Sequence, residues 1–408
     1  MSAAPNKPLW HIVPLAEFAL PPTPVQEVAT KRMHALRRLF RSESAPQPPA
    51  MALEDLRNLP EARLAHLAPP IDWRRAADAL TIQFAEWAKA DDAAKMPRFL
   101  VGPPYGGHAE VLEFWAASHG WHLIAPPASE HILADDPAWL EDANLPRDAW
   151  VLPHLEHCFL RHGDGLVLIR RFLDLAASGC LGRGLIGCDS WAWAFLQRIW
   201  PIPQSQIYTL QAFDGDRLAA YFQYALHDPM GRRIRVRNAK TGDDILCSAD
   251  SDAAPDPPVS ALLKRLAAHC RGNLGIAWNY WRTGFRTEPD AATPEVASAN
   301  ADAIEASEPA DEVTLWWTAE HREPELSPTT EDELTHLLHA LLLHNGLSQD
   351  LLAELLPDAR MMLGANLLRL EHLGLIDRTE TIWRVAPLGY VVVREWLGSR
   401  GYLIDDQP

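Results

Sequence analysis

The sequence predicts an α/β protein, with a parallel sheet covered by helices and then a smaller, mostly helical unit. Two observations carry this prediction. Between residues 98 and 210, short apolar runs typical of buried strands alternate with segments of helical periodicity, as in a parallel sheet with helical crossovers. After residue 326, leucines recur at helical spacing in three successive segments that glycine and proline separate.

The composition of the 408-residue chain is that of a globular protein with two or three domains. Hydrophobic residues make up 48% and charged residues 22%, and no apolar stretch reaches the roughly 18 residues of a membrane span. The first residues lack a secretory signal pattern, and the five cysteines are scattered and odd in number. We therefore expect a cytoplasmic protein with reduced thiols and no direct membrane insertion.

Residues 1–70 are predicted to form a proline-rich arm. The arm contains one helical pattern, at 25–40, with apolar residues along one face and basic residues elsewhere. The sequence Leu-Ala-Pro-Pro at 67–70 ends it. We expect this arm to pack on the rest of the chain or on a partner.

An α/β domain is predicted over 71–213. It begins with a helix at 73–88, and its five strands are expected at 98–101, 121–124, 150–152, 184–187 and 207–210. Asp189 or Ser190 can cap the helix that runs to residue 200. Helical patterns then continue to residue 285 and predict a helical lid over 214–286.

Residues 287–325 are predicted to be an acidic, disordered linker, because 287–312 carries eight acids and no Lys or Arg. The unit 326–408 follows, with helices expected at 331–345, 348–355 and 359–373. Two short strands at 375–377 and 382–385 and a helix at 390–397 complete it. Three helices, a hairpin and a closing helix are the order of a winged-helix domain.

A glycine-rich turn directly after the first strand of the sheet carries the most chemical information. It reads Gly102, Pro103, Pro104, Tyr105, Gly106, Gly107, His108, Ala109. This segment resembles the phosphate-binding loop of AAA+ and STAND-type ATPases, G-P-P-x-x-G-K-[ST]. The order of sheet, helical lid and winged helix is also similar to that of origin-recognition-type ATPases. The resemblance covers about 90–286 and 326–408, and it implies a P-loop NTPase sheet of AAA+-like type with ATP or ADP as ligand.

The chemical groups of such a loop are replaced in this sequence. A phosphate loop works because backbone N–H groups hold the phosphates, a Lys reaches the β and γ oxygens, and a hydroxyl holds Mg²⁺. His108 stands at the Lys position and Ala109 at the hydroxyl position. The strand that should end in acids continues instead with Pro153 and His154, and Glu156 comes a residue or two late.

Two further positions match the family's pattern in part. Asp189 follows the fourth strand, where the resemblance implies a polar residue. Gly275 replaces the lid arginine that would touch the γ-phosphate, although Arg271 lies nearby. We therefore expect negligible hydrolysis by the usual mechanism and no catalytic residues. Weak nucleotide binding stays open, because backbone donors need no side chain; its candidate residues are the loop at 102–109 with Glu156, Asp189 and Arg271.

A histidine-rich segment after the third strand offers a different site. It brings imidazole, thiol and carboxyl groups together at short spacings: His154, His157, Cys158, His162 and Asp164. Such donors suit Zn²⁺ when they share a helix face. However, Leu155 and Phe159 in the same segment should pack on the sheet, and no cysteine pair of finger-like spacing occurs. We expect no metal, and an enzyme of unrelated mechanism at this cluster is one alternative.

The dense basic patch of the chain lies at 232–240. It contains Arg232, Arg233, Arg235, Arg237 and Lys240 and is predicted to pair with 244–247 as a hairpin. Its arginines could meet phosphate, an acidic protein or the acidic linker, or could protect a solvated edge strand. The net charge of −17 disfavours nucleic acid as a partner, as do twelve acids against six arginines within 326–408.

These observations predict a catalytically degenerate AAA+-like protein that acts as a scaffold or regulatory subunit. Protein partners are expected to bind the winged helix and the N-terminal arm, and an active ATPase or a membrane complex is a candidate partner. Two alternatives remain: a nucleotide-responsive DNA-binding regulator that uses the winged helix, and an ATPase active through a non-standard site.

Overall fold

A computed structural model of the chain describes residues 9–22, 55–89, 96–142, 149–202, 206–228, 231–246, 260–288, 312–318, 324–326 and 332–405. The helix predicted at 25–40 and residues 289–311 of the predicted linker lie outside these ranges. Within them, no helix is long and apolar enough to cross a membrane.

Thirteen strands and fourteen α-helices make up the described part of the chain. The strands are β1 Ile12–Pro14, β2 Arg57–Asn58, β3 Arg98–Gly102, β4 His122–Leu123, β5 Ala149–Leu152, β6 Arg183–Asp189, β7 Ile207–Leu210, β8 Arg233–Asn238, β9 Phe285–Thr287, β10 Glu312–Trp317, β11 Leu347–Ser348, β12 Ile376–Thr379 and β13 Ile382–Val385. The helices are α1 Glu61–Leu67, α2 Arg74–Lys89, α3 His108–His119, α4 Ser129–Leu133, α5 Ala138–Asp142, α6 Val167–Ala177, α7 Ser190–Ile199, α8 Gly215–Ala225, α9 Ala261–His269, α10 Leu274–Gly284, α11 Asp332–Leu343, α12 Gln349–Leu355, α13 Leu363–His372 and α14 Tyr390–Ser399.

The central sheet has six strands in the order β1-β7-β3-β6-β5-β4. Neighbours from β7 to β4 run parallel, and β1 pairs antiparallel with β7 at the edge. The predicted α/β class with a mostly parallel sheet is therefore confirmed. The sequence did not predict β1, because this strand is only three residues long and ends in a proline.

Close packing between the neighbouring strands β5 and β6 depends on a glycine in β6. A Cβ at Gly184 would overlap the indole of Trp150 on the neighbouring strand, so the glycine makes room for this fully buried ring. The indole Nε1 donates a hydrogen bond to the Leu181 carbonyl at 2.8 Å. Since both faces of β5 and β6 are covered, these strands are almost continuously apolar.

A second sheet has the order β2-β9-β10-β8. The predicted antiparallel turn at 240–242 is present, with a bridge from Arg237 to Asp244 and a hydrogen bond from the Ile245 N–H to the Val236 carbonyl at 2.9 Å. The sequence did not predict that β8 also pairs along its whole length, in parallel, with β10. Strand β10 itself lies within 287–325, which was predicted to be a disordered linker. Its buried Val313, Leu315 and Trp317 alternate along the strand, a signal that the acidic composition of the preceding residues obscured.

The arginines of β8 are neutralised by acids of the same chain. Arg235 forms ion pairs with Glu312 at 2.9 Å and with Asp244 at 3.6 Å. Arg237 lies 3.5 Å from Asp244, and Arg232 pairs with Asp228 at 3.0 Å. Glu312 belongs to the acidic segment, so part of that segment meets the basic patch.

The C-terminal unit consists of α11 to α14 and a small antiparallel sheet in the order β11-β13-β12. It packs against the central α/β layer, and one apolar core extends through both. Trp191 Nε1 donates to the Tyr390 hydroxyl at 3.1 Å, and the backbone N–H of Arg161 donates to His344 Nε2 at 3.3 Å. These contacts bring the C-terminal unit onto the edge of the central sheet where β5 and β6 end.

Candidate functional site

The carboxyl ends of the central strands meet at one edge of the sheet. There β3 ends at Gly102 and β6 at Asp189, and Glu156 follows β5 after a short loop. The chain leaves β3 toward β4 on one side and later returns to β7 on the other. This edge is therefore the topological switch point at which open α/β sheets bind ligands. The structure brings the glycine-rich loop, Glu156 and Asp189 together there.

The loop after β3 is held closed by its own backbone and by α10. The Gly106 N–H donates to the Pro103 carbonyl at 2.8 Å. Asn273, the N-cap of α10, donates from Nδ2 to the Pro104 carbonyl at 2.7 Å. Gly107 has a φ of 79°, and a Cβ there would overlap the ring of Trp73. The glycine thus serves both the left-handed backbone and the close approach of the indole.

Tyr105 joins the loop to the C-terminal unit. Its hydroxyl donates a hydrogen bond to the Val385 carbonyl at the end of β13. Burial raises the pKa of Tyr105, so the phenol stays protonated and can donate. On its other side, the Tyr105 backbone is so close to Gly275 that a Cβ there would overlap it. Position 275, where the sequence resemblance implied an arginine, therefore contacts the loop directly and has no space for a side chain.

The cavity beside the loop is small and aromatic. It has a volume of about 40 Å³ and is lined by Pro103 and Gly106 of the loop and by Arg271 between α9 and α10. Trp10 and Trp73 also line it, with ring centroids 5.3 Å apart. Pockets that bind small molecules usually hold about 300–1,000 Å³, whereas this volume suits a few waters. The predicted residue Arg271 thus lines the same cavity as the loop, and this cavity is much smaller than a usual ligand pocket.

His108 begins α3 and is 4% exposed. Its ring lies against the end of β3, where a Cβ on Gly102 would be 2.8 Å from His108 Nδ1. Neither ring nitrogen has a hydrogen-bond partner within the described ranges. Burial lowers the pKa of His108, which keeps the imidazole neutral. The position at which the sequence resemblance implied a lysine therefore carries no positive charge. Ala109, the next residue, is buried and contributes no metal ligand.

Glu156 is fully buried and ionised. Its Oε1 accepts a hydrogen bond from His154 Nδ1 at 2.9 Å, and its Oε2 accepts one from the Asp189 N–H at 3.1 Å. Burial alone would raise its pKa, but the hydrogen bond from His154 and the positive charge of that imidazole lower the pKa of Glu156 to about 2. Both carboxylate oxygens are thus engaged by this chain's own groups.

Asp189 caps α7, as predicted. Its Oδ1 accepts from the Trp191 N–H at 2.9 Å, while Oδ2 has no partner among the residues described. Burial, followed by the charge of Glu156, raises the pKa of Asp189 well above its usual value. The environment therefore favours a protonated carboxyl, which is a poor ligand for Mg²⁺.

The donor side chains that come together in the histidine-rich segment differ from those that the sequence predicted. Cys158 is buried, donates from Sγ to the His154 carbonyl at 3.4 Å, and has its thiol pKa raised by burial. His162 pairs loosely with exposed Asp164 at 3.9 Å. The donors that do gather are His154, Glu156 and His157, whose nitrogen and oxygen atoms all lie within 4.8 Å of one another.

The sequence motif made Glu156 a candidate nucleotide-binding residue, one or two positions late for the acids of the motif, and did not connect it with the histidines. The connection arises from a 3₁₀ turn, Leu155–His157, directly after β5. In such a turn, side chains three residues apart lie above one another, and the rings of His154 and His157 stack 5.1 Å apart. The spacing H-x-E-H was the available signal, but it collects these donors only in this tighter geometry.

A larger cavity opens beside this group. Its volume is about 360 Å³, and its lining includes Glu156 and His157 together with His344 and Asn345 after α11 and Arg384 of β13. Burial lowers the pKa of His344 to about 3, so its imidazole is neutral. The cavity thus joins polar groups of the central sheet to polar groups of the C-terminal unit, and its volume is sufficient for a small molecule.

Comparisons with known proteins give no further assignment. No protein-family model matches the chain, and a search of curated proteins finds no match.

Proposed function

We propose that this chain is an AAA+-like protein that has lost ATP hydrolysis and serves as a protein-binding scaffold or regulatory subunit. The observation that carries the proposal is the small volume of the cavity beside the loop. A cavity of about 40 Å³ lies where a nucleotide would have to meet Pro103, Gly106 and Arg271. The position of the family's lysine is a neutral, buried imidazole.

The AAA+ assignment is supported by the placement of the loop. It follows β3, the strand between β7 and β6, and it leads directly into the N-terminus of α3. The N-terminus of a helix at the switch point of a parallel sheet is the setting in which backbone N–H groups hold phosphate. The loop and the N-terminus of α3 thus keep the placement of a phosphate site, whereas the cavity is small and His108 replaces the positive charge of a lysine.

The C-terminal unit fits a winged-helix domain, with α11, α12 and α13 followed by the β12–β13 hairpin and α14. Its third helix exposes apolar side chains: Met361 at its lead-in is 93% exposed, and Leu368 on α13 is 61% exposed. A helix that reads DNA needs cations toward the phosphates, whereas exposed apolar side chains favour contact with another protein. We therefore place the partner surface on α13 and its lead-in.

Nucleotide turnover tests the loss of hydrolysis. We expect no Mg²⁺-dependent phosphate release above background from the purified chain, because the groups that neutralise developing charge are absent. The Glu156→Gln variant is the control, since Glu156 is a buried, ionised carboxylate at this edge. Release that this variant abolishes would overturn the proposal and would favour the non-standard ATPase.

The partner surface is tested by co-purification from the native source with a tagged chain. Proteins retained by the wild type should be lost from the double variant Met361→Glu, Leu368→Glu. The matched control is Ile82→Glu on α2, where an equally exposed apolar side chain, 81% exposed, lies outside the proposed surface. If the Met361→Glu, Leu368→Glu variant retains the partner proteins as well as Ile82→Glu does, α13 and its lead-in are not the partner surface. A gel shift with DNA that Met361→Glu and Leu368→Glu both weaken would instead favour the DNA-binding alternative.

A further inference from the structure

The turn after β5 holds donor atoms close to the geometry of a metal site. His154 Nδ1 and Glu156 Oε1 are 2.9 Å apart, and a donor of His157 lies within 4.8 Å of each. Two ligands of one ion, each bound at about 2.1 Å, lie about 3.0–3.4 Å from each other in octahedral or tetrahedral coordination. The first pair is held near ligand spacing by a hydrogen bond, so an ion would replace the proton on His154 Nδ1, and the stacked ring of His157 would have to rotate toward it.

Each of the three donors has an outer partner of the kind that metal ligands have. His154 Nε2 lies 3.6 Å from the carboxylate of Glu113 on α3. The ring of His157 hydrogen-bonds to the backbone of Asn345. The second oxygen of Glu156 accepts the Asp189 N–H. In metal sites, histidine ligands typically donate their other ring nitrogen to a carboxylate or a backbone carbonyl, which fixes the orientation of the ring.

The charges around Glu156 also point to a cation. Buried charges are normally paired with a fixed cation or bound to a metal. Among the described residues, no Lys or Arg forms an ion pair with Glu156, and its neighbours are imidazoles. One of these imidazoles, His108, is 96% buried, since its exposure is 4%, and lacks a partner at both nitrogens within the described ranges. A buried polar group left in this state needs an explanation, and an ion is one that fits.

We propose that His154, Glu156 and His157 bind one divalent transition-metal ion, with His108 as an adjacent imidazole. Two imidazoles and one carboxylate are a ligand set of catalytic Zn²⁺ and of non-haem Fe²⁺ sites, which keep further coordination positions open. The 360 Å³ cavity beside Glu156 and His157 gives those positions access to a small ligand. Cys158 takes no part, because its thiol is bonded to the His154 carbonyl. The inference differs from the sequence expectation of no metal, and it does not depend on the proposed scaffold role.

The test is metal binding by the full chain after chelator treatment. Titration with Zn²⁺ or with Co²⁺, whose visible absorption reports its ligands, should give one ion per chain. His157→Gln should weaken binding by more than about 100-fold, since even loss of an outer-shell partner costs about 10–100-fold. Glu113→Gln should weaken Zn²⁺ binding by about 10–100-fold, because Glu113 is an outer-shell partner. His157 is partly exposed, so its variant is expected to fold, which circular dichroism can check.

The matched control is His162→Gln, five residues from His157 but outside the donor group. This variant should bind Zn²⁺ as the wild type does. Two results would overturn the proposal: no stoichiometric Zn²⁺, Co²⁺ or Fe²⁺ binding by the wild-type chain, or a loss in His162→Gln as large as that in His157→Gln. The second result would mean that the ion binds surface histidines.

Discussion

At the scale of single residues, the edge of the sheet is held by buried polar side chains that bond to each other across domains. Asp405, near the end of the chain, accepts hydrogen bonds from Ser190 Oγ and from the Tyr390 hydroxyl, both at 2.9 Å. Its other oxygen pairs with Arg394 at 2.7 Å. The terminal segment is thus fixed to the first turn of α7, next to Asp189.

Loss of the Asp405 carboxylate should destabilise the whole protein. The Asp405→Ala variant leaves the guanidinium of Arg394, 13% exposed, without its carboxylate partner, and breaking a buried ion pair costs about 3–5 kcal/mol. We expect the free energy of unfolding in denaturant to fall by that amount. The control is Asp332→Ala, whose exposed pair with Arg400 should contribute at most about 1 kcal/mol. Equal effects of the two substitutions would contradict the structural role of Asp405.

The contact of α11 with the central layer should be sensitive to acid. His339 lies 3.3 Å from Arg161, and burial followed by that charge lowers the pKa of His339 to about 4, below the unfolded value of 6.5. Because the folded pKa is the lower one, the stabilisation is complete above pH 6.5 and is lost as the pH falls toward 4. At 1.36 kcal/mol per pH unit, the loss from this group is about 3 kcal/mol.

The measurement is unfolding free energy as a function of pH for the wild type and for His339→Gln, which has no titrating group at this position. The difference in slope between the two proteins should be confined to the range from about pH 6.5 to 4. Parallel curves through that range would show that His339 is not buried beside Arg161.

At the scale of secondary-structure elements, β10 is the clearest difference from the sequence prediction. Its residues pair with β8 on one side and with β9 on the other, and Leu315 in its middle is fully buried. A disordered linker would tolerate truncation of this side chain. A central strand would not, because the cavity left behind costs about 2–5 kcal/mol for a leucine.

We expect Leu315→Ala to lower the free energy of unfolding by about 2–5 kcal/mol, as measured in denaturant. Exposed Leu20 gives the matched control, since its truncation removes the same group from a side chain that is 44% exposed. A decrease in the free energy of unfolding below about 0.5 kcal/mol for Leu315→Ala would contradict a buried central strand and would favour the predicted linker at 312–318.

At the scale of the whole molecule, the sequence predicted the individual strands and helices well and the pairing between distant strands poorly. The strands of the parallel sheet and the helices of the C-terminal unit were predictable, because buried strands and amphipathic helices leave periodic patterns in the sequence. The pairing of β8 with β10 was not, since the two strands are separated by more than seventy residues and pairing across such a distance has no local pattern.

The candidate site was predictable in part for the same reason. The loop, Glu156, Asp189 and Arg271 were selected from local motifs, and they do meet around the end of β3. The small aromatic cavity beside the loop was not predictable, because Trp10 and Trp73 approach the loop from segments well before it in the chain. The grouping of Glu156 with His154 and His157 depends on a 3₁₀ turn, which leaves no periodic signal.

Equilibrium dialysis of ATP with Mg²⁺ against the purified chain tests whether the loop still binds nucleotide. Because the cavity beside the loop is small and position 108 carries no positive charge, we expect no saturable binding up to about 1 mM ATP, a concentration at which binding would contribute only about 4 kcal/mol. Saturable binding at micromolar ATP that Arg271→Ala weakens would contradict this expectation.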